Sequence, residues 1–237
     1  AASGLTGRQE RARGEKRAID WLHRHAQRGF ALWNTRLDLT ISALALLADL
    51  AKTDALAEMA VVLLDKLVFG LAVNSFKGTY AAPRADARAS WLRSGRLAPE
   101  SPINYLLWGV GTYNTFVKGL VSLGLAGKSY ELPEMLRTIA LDRWPGMLSK
   151  ERQEIAPGDE VNTVVYKTPD YMLSSAQDYH PGQRGKREHI WQATLSPDAI
   201  VFANHPTSFS DSDSRMAGWW CGNGSLPRVA QWKDALI

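Results

Sequence analysis

The segment WPGMLSKERQEIAPGDEVNTVVYK, residues 144–167, is where the reading of this chain turns. Upstream of it apolar residues recur at helical spacing, and Trp144-Pro145-Gly146 breaks that pattern. After Pro157-Gly158 the period drops from 3.6 to 2, and Val161, Val164, Val165 and Tyr166 read as a strand. Helices on one side and strands on the other predict two segregated layers, an α+β chain. The expected division is a helical part at 1–145, a linker at 146–160 and a β part at 161–237.

Working upstream, Ile41, Leu44, Leu47 and Ala48 follow Leu37 with almost no polar interruption, which predicts a helix buried on several sides. Thr53 is the expected N-cap of the next helix, with Asp54 at its positive end. Leu56, Ala60, Leu63, Leu64, Leu67 and Leu71 then form its apolar face. Ser101-Pro102 reads as a cap followed by proline at the first helical position. Further helices are expected over Thr115–Leu125 and from Pro133 to near Arg143. Residues 74–101 (NSFKGTYAAPRADARASWLRSGRLAPES) read as one long connection, a length that usually signals a functional loop.

Downstream, Tyr171-Met172-Leu173 continues the strand pattern. HIWQATL (189–195) and AIVFA (199–203) flank the turn signal Ser196-Pro197-Asp198, predicting a hairpin. Val229 to Ile237 reads as a last strand. About half a dozen helices and five strands close neither a full helical ring nor a full sandwich, so the chain reads as part of something longer.

With 45% hydrophobic and 22% charged residues the chain can bury a sizeable core, which excludes a disordered protein. Cys221 is the only cysteine, so neither an intrachain disulfide nor a thiolate metal site is expected. The run SFSDSDS (208–214) does not complete a calcium loop, and no metal or cofactor is expected. LTISALALLA (39–48) is too short to span a bilayer, and no secretory signal opens the chain. The net charge is +4, much of it from the first 28 residues, which read as a solvated amphipathic helix. No nucleic-acid-binding module accompanies that charge, whereas an anionic polysaccharide would be attracted by it.

Self-sufficient catalytic motifs are absent, so the candidates are polar and aromatic residues standing where apolar ones are expected. Trp33-Asn34 precedes the most apolar helix, where Asn34 is either a cap or an amide facing a sugar carboxylate. The long connection offers Tyr80, Arg84 and Arg88, with solvated charge as the plainer reading. Asn104 and Trp108, four apart on one helix, suit either an aromatic platform with a hydrogen-bonding neighbour or core packing. His189 begins a strand, and His205 sits at a strand end, where polar residues are more often functional. Trp219-Trp220 stand beside a glycine turn, placed to stack on sugar rings or to pack between layers.

These segments carry a resemblance. GFALWNTRLDLTISALALLADLA, LLDKLVFGLAVNSFKGTYAAPRADARA and SPINYLLWGVGTYN resemble the helical part of the heparinase II/III-like and hyaluronate-lyase-like polysaccharide lyases. TPDYMLSSAQDYHPGQRGKREHIWQATLSPDAIVFANHP, continuing to WWCGNGSLPRVAQWKDALI, resembles the start of the sandwich that follows in them. The resemblance implies an α/α toroid-like layer followed by an antiparallel β-sandwich, and a secreted or periplasmic setting. It implies β-elimination on a uronic-acid glycan, with Asn34 neutralising the uronate carboxylate and Tyr80 as the base. Arg84 and Arg88 would bind the anionic polymer and His189 would complete the cleft. The chain departs from that pattern in having no histidine between His25 and His180. A non-catalytic glycan-binding scaffold is the rival from another class. A glycan hydrolase is a third reading, and would need two carboxylates across a cleft, for which Asp38 and Asp170 are the candidates.

Overall fold

Thr6 starts the first helix with a capping box: its hydroxyl accepts from the Gln9 N–H while the Gln9 side chain accepts from the Thr6 N–H. This helix, α1 (Gly7–Arg28), buries only Leu22 fully and ends on Gly29, whose φ of 79° suits glycine. In this computed structural model of the chain, residues 4–34, 36–113, 127, 129–141, 145–177, 188–203 and 228–237 are described. The helix expected over Thr115–Leu125 lies outside them, as do Cys221 and residues 208–214.

The apolar periodicity upstream of residue 74 builds two helices, α2 (Leu37–Leu50) and α3 (Asp54–Val73), joined by three residues and packed on each other. Leu37, Ile41, Leu44, Leu63, Leu64, Leu67 and Leu71 are almost wholly buried between them. Thr53 occupies the N-cap position of α3 but makes no side-chain cap bond. Gly70 makes room for Leu32: a Cβ there would lie 2.6 Å from Leu32 Cδ1 and would push that side chain aside. Leu32 can therefore nest against α3 and carry the following turn with it.

The stretch expected as a long loop is largely ordered. Ser75–Phe76 (β1) and Thr79–Tyr80 (β2) pair as a hairpin whose two turn residues, Lys77 and Gly78, both have positive φ. A Cβ on Gly78 would sit 2.4 Å from the Gly111 backbone nitrogen, so the turn is pressed against a second glycine. Two short helices follow, α4 (Ala89–Arg93) and a 3₁₀ turn (Gly95–Leu97), then α5 (Ser101–Trp108). Glu100, rather than Ser101, is the N-cap of α5. A short helix, α6 (Glu134–Leu141), packs on α3 and α5.

The β part is one antiparallel sheet in the order β3-β4-β5-β6-β7: Met147–Ala156, Asp159–Lys167, Met172–Gln177, Trp191–Ser196 and Ala199–Val201. Residues expected as a linker thus form β3 and, at Pro157-Gly158, the turn into β4. Val229–Ile237 is not one strand but a small hairpin of two-residue strands, β8 (Gln231–Trp232) and β9 (Ala235–Leu236). The expectation of a toroid followed by a sandwich is overturned. Among the described residues the helices are too few and too short for a toroid, and the five strands make a single sheet without a second stacked on it.

The sheet face turned to the helices is unusually polar. Register puts Gln153, Thr163, Lys167, Ser174, Gln192 and Thr194 on it beside Val161, Val165, Met172 and Ala176, all buried. Buried polar groups need partners, and here many of those partners are backbone atoms of the helical part. Gln153 Oε1 accepts from the Trp33 N–H at 2.7 Å, and Ser174 Oγ donates to the Ala81 carbonyl at 2.6 Å. Lys167 Nζ donates to the carbonyls of Ala72, Ser75 and Ile139 at 3.2–3.3 Å. Arg84 and His189 exchange both backbone bonds as an isolated bridge, at 3.0 and 2.8 Å. The sheet thereby fixes the main chain of the two segments that hold the candidate residues.

Candidate active site

A pocket of about 260 Å³ opens between the turn before α2 and the segment from Tyr80 to Glu100. Its walls include Trp33, Asn34, Asp38, Tyr80, Arg84 and Arg88, six residues singled out from the sequence, together with Arg36, Asp86, Trp91 and Glu100. Asn34 does not cap α2; that position belongs to Arg36. Asn34 instead closes a turn, its N–H bonded to the Ala31 carbonyl at 3.0 Å, with its exposed side chain at the pocket. Trp33 is 5% exposed and packs with Ala85, Val161, Ala176 and Ile190, so it forms a wall more than a platform.

Arg84 is the centre of the site. Its guanidinium lies 4.5 Å from the Tyr80 ring centroid and 5.2 Å from that of Trp91, held between two aromatic faces. Nη1 reaches both oxygens of Glu100, at 3.3 and 3.2 Å, in a pair almost closed to solvent. Arg88 adds a second cation, 5.4 Å from the Trp91 ring. At the rim Arg36 holds Asp38 with two bonds, Nε to Oδ1 at 3.1 Å and Nη2 to Oδ2 at 2.9 Å. The pocket thus balances three arginines against three carboxylates.

Tyr80 is almost wholly buried, and burial raises its phenol above the ordinary value, with Arg84 opposing and Glu100 adding to that rise. The hydroxyl is therefore neutral at physiological pH. Neither it nor the Asn34 amide is hydrogen-bonded among the described residues, which leaves both to face a ligand.

The remaining sequence candidates lie elsewhere. His189 does not reach the pocket: it is fully buried behind Arg84, Nε2 donating to Gln192 Oε1 at 2.7 Å, and Gln192 Nε2 donating to Thr194 Oγ1. Its Nδ1 has no partner among the described residues, and burial lowers the ring to about 3, so it is a neutral structural group. Asn104 and Trp108 share a face as their spacing predicts, but that face is core. Asn104 Oδ1 accepts from Trp108 Nε1 at 2.6 Å and from Ser75 Oγ at 3.2 Å, both side chains out of reach of the pocket. His205, Trp219 and Trp220 lie outside the described residues. Asp38 lines the pocket and Asp170 does not; Asp170 sits in the turn before β5, where its carbonyl accepts from Lys77 Nζ.

Sequence reasoning missed Trp91, Asp86 and Glu100. A usable signal existed in the alternation of arginine, acid and tryptophan over Arg84–Trp91, and in an acid directly before the Ser101-Pro102 helix start. Among the described residues no group of three or more His, Cys, Asp or Glu side chains is arranged to hold a metal ion. No described helix is long and apolar enough to cross a membrane. Comparison of the chain with protein-family models, with curated proteins and with solved structures gives no match.

Proposed function

We propose that the pocket binds a uronate residue of a polysaccharide and breaks its C4–O4 bond by β-elimination. The observation that carries this reading is the convergence of Asn34 and Tyr80, from segments 46 positions apart by number, on one aromatic-walled pocket with both polar groups free to meet a ligand. The Asn34 amide, with Arg88 in the same pocket, stabilises the charge that builds on the uronate carboxylate as C5 becomes acidic. Tyr80, as its phenolate, removes the C5 proton. The electron pair of the C5–H bond forms the C4–C5 double bond, the C4–O4 pair leaves on O4, and the proton returns from Tyr80 to that oxygen. No other reagent is consumed.

Hydrolysis suits the site less. It needs two carboxyl groups free across a cleft, and both oxygens of Asp38 and of Glu100 are already bonded to arginines, while Asp170 does not line the pocket.

The test is to follow near-ultraviolet absorbance of the unsaturated product while the chain is incubated with a panel of uronic-acid polysaccharides. Absorbance should rise faster as pH increases, because the reactive form of Tyr80 is the phenolate its burial disfavours. Tyr80→Phe should cut the rate about a hundred- to ten-thousand-fold, the range for a positioned proton-transfer group. A flat trace with retained polysaccharide binding would turn the pocket into a glycan-recognition site, and new reducing ends without absorbance would mean hydrolysis.

A further inference from the structure

Helix α1 carries seven Lys and Arg against three Asp and Glu, so this one exposed helix holds the whole +4 of the chain and the remaining residues balance. Half of that excess lies in one sector, where four arginines share a side with Glu10 and Asp20. At 3.6 residues per turn Arg13, Arg17, Arg24 and Arg28 fall within roughly 60° of one another about the helix axis, and the stripe runs about 22 Å. All four are exposed, and among the described residues Arg13, Arg17 and Arg24 have no acidic partner. A basic last turn complements the helix dipole, but that accounts for Arg28 and not for arginines three and four turns upstream.

The stripe ends in a cleft. Between the C-terminus of α1 and the β3–β4 turn lies a cavity of about 440 Å³, lined by Trp21, Arg24, His25, Arg28, Asn34 and Glu154. Asn34 also lines the candidate active site, so the two cavities meet at that residue. Trp21 is half-buried, its ring 4.4 Å from His25, which stacks in turn on Phe30 at 4.5 Å. His25 Nδ1 is fixed by the Gly29 carbonyl at 2.9 Å. Glu154, the acid in the cleft, approaches Arg28 at 3.9 Å and forms no ion pair with Arg24.

We propose that the α1 stripe and this cleft form an extended track for an anionic polysaccharide, holding the residues next to the one seated at Asn34 and Tyr80. The track rests on the reading of that pocket as a uronate site, but its chemistry is separate: long-range attraction by exposed guanidinium groups, screened by salt. It would add affinity for long chains and nothing for a disaccharide confined to the pocket.

The experiment compares the chain with its Arg17→Glu/Arg24→Glu variant, both sites being exposed and helix-compatible. Calorimetric titrations use di- and octasaccharides of galacturonate, of alginate and of a glucuronate polymer, at low and high NaCl. For at least one series, octasaccharide affinity should fall about tenfold or more at low salt in the variant, with a shallower salt dependence. Disaccharide affinity should not change. Equal weakening of both lengths, no weakening of either, or no binding of any octasaccharide to the unsubstituted chain would overturn the track. So would a single-stranded DNA oligomer that binds more tightly than every octasaccharide. The two readings fail separately. Octasaccharide binding without unsaturated product removes elimination and keeps the track, and product formation with unchanged KM in the variant does the reverse.

Discussion

Replacing Glu100 by glutamine would leave the shape of the site intact and remove one charge from its most enclosed ion pair. The Arg84 and Glu100 side chains are 10% and 8% exposed, so the guanidinium would be stranded with little water to solvate it. Breaking a buried pair from one side costs about 3–5 kcal/mol. Glutamine keeps one carbonyl acceptor for Nη1, and the Tyr80 and Trp91 rings still face the cation, which favours the lower end, about 3 kcal/mol. In a chain of this length that corresponds to a fall in Tm of about 6–12 °C. Thermal unfolding of the parent, Glu100→Gln, Arg84→Met and the double variant completes a cycle. The double variant should recover to within about 1 kcal/mol of the parent, because neither charge is then buried alone. A Glu100→Gln variant that melts within about 1 °C of the parent, or a double variant as unstable as the sum of the singles, would refute the idea that this pair is held as a unit.

His189 should make the protein acid-sensitive. Its folded value of about 3 lies below the ordinary 6.5, so between those pH values the unfolded chain takes up a proton that the folded chain refuses. Stability should fall by up to roughly 1.4 kcal/mol per pH unit across that window, seen as a falling urea midpoint, and His189→Leu should flatten the slope. Lys167 acts at the other end. Burial lowers its ammonium from 10.5 to about 8, so stability should rise with pH above 8, a rise that Lys167→Met lacks. Above pH 10 the phenols of Tyr80 and Tyr130, raised by burial, reverse that trend. Gly78→Ala should cost more than the roughly 1–2 kcal/mol of a left-handed conformation, since its Cβ would meet Gly111, whereas Gly158→Ala, with positive φ and open space, should cost only that. Denaturant titration of the two variants compares them directly.

The helices α2 and α3 were legible because burial on several faces leaves a dense apolar run that only a helix can present. Strand β3 was not. Its SKERQE core alternates polar with polar, since Gln153 points inward to bond the Trp33 backbone where a sandwich strand would bring an apolar residue. The β1–β2 hairpin was hidden for a different reason. Lys-Gly turns the chain with Lys77 itself at positive φ, in place of the Asn-Gly or Asp-Gly pair that announces such a turn. The toroid and sandwich came from resemblance rather than periodicity; the few, short helices correct the first and the single sheet the second. At the site, aromatic and arginine content in an apolar context drew notice to Trp33, Asn34, Tyr80, Arg84 and Arg88, which now share a pocket. The same reasoning failed for His189, Asn104 and Trp108, because a buried polar side chain satisfied by the core looks in sequence like one aimed at a ligand.

Arg84 has its side chain in the pocket and its main chain locked to His189 by two reciprocal amide bonds. A molecule that grips the guanidinium pulls on a residue whose own amide is sealed by the sheet. Hydrogen exchange at Arg84 and His189 should therefore slow on ligand binding even though His189 touches nothing in the pocket, giving the protein a built-in gauge of occupancy that works before any substrate is turned over.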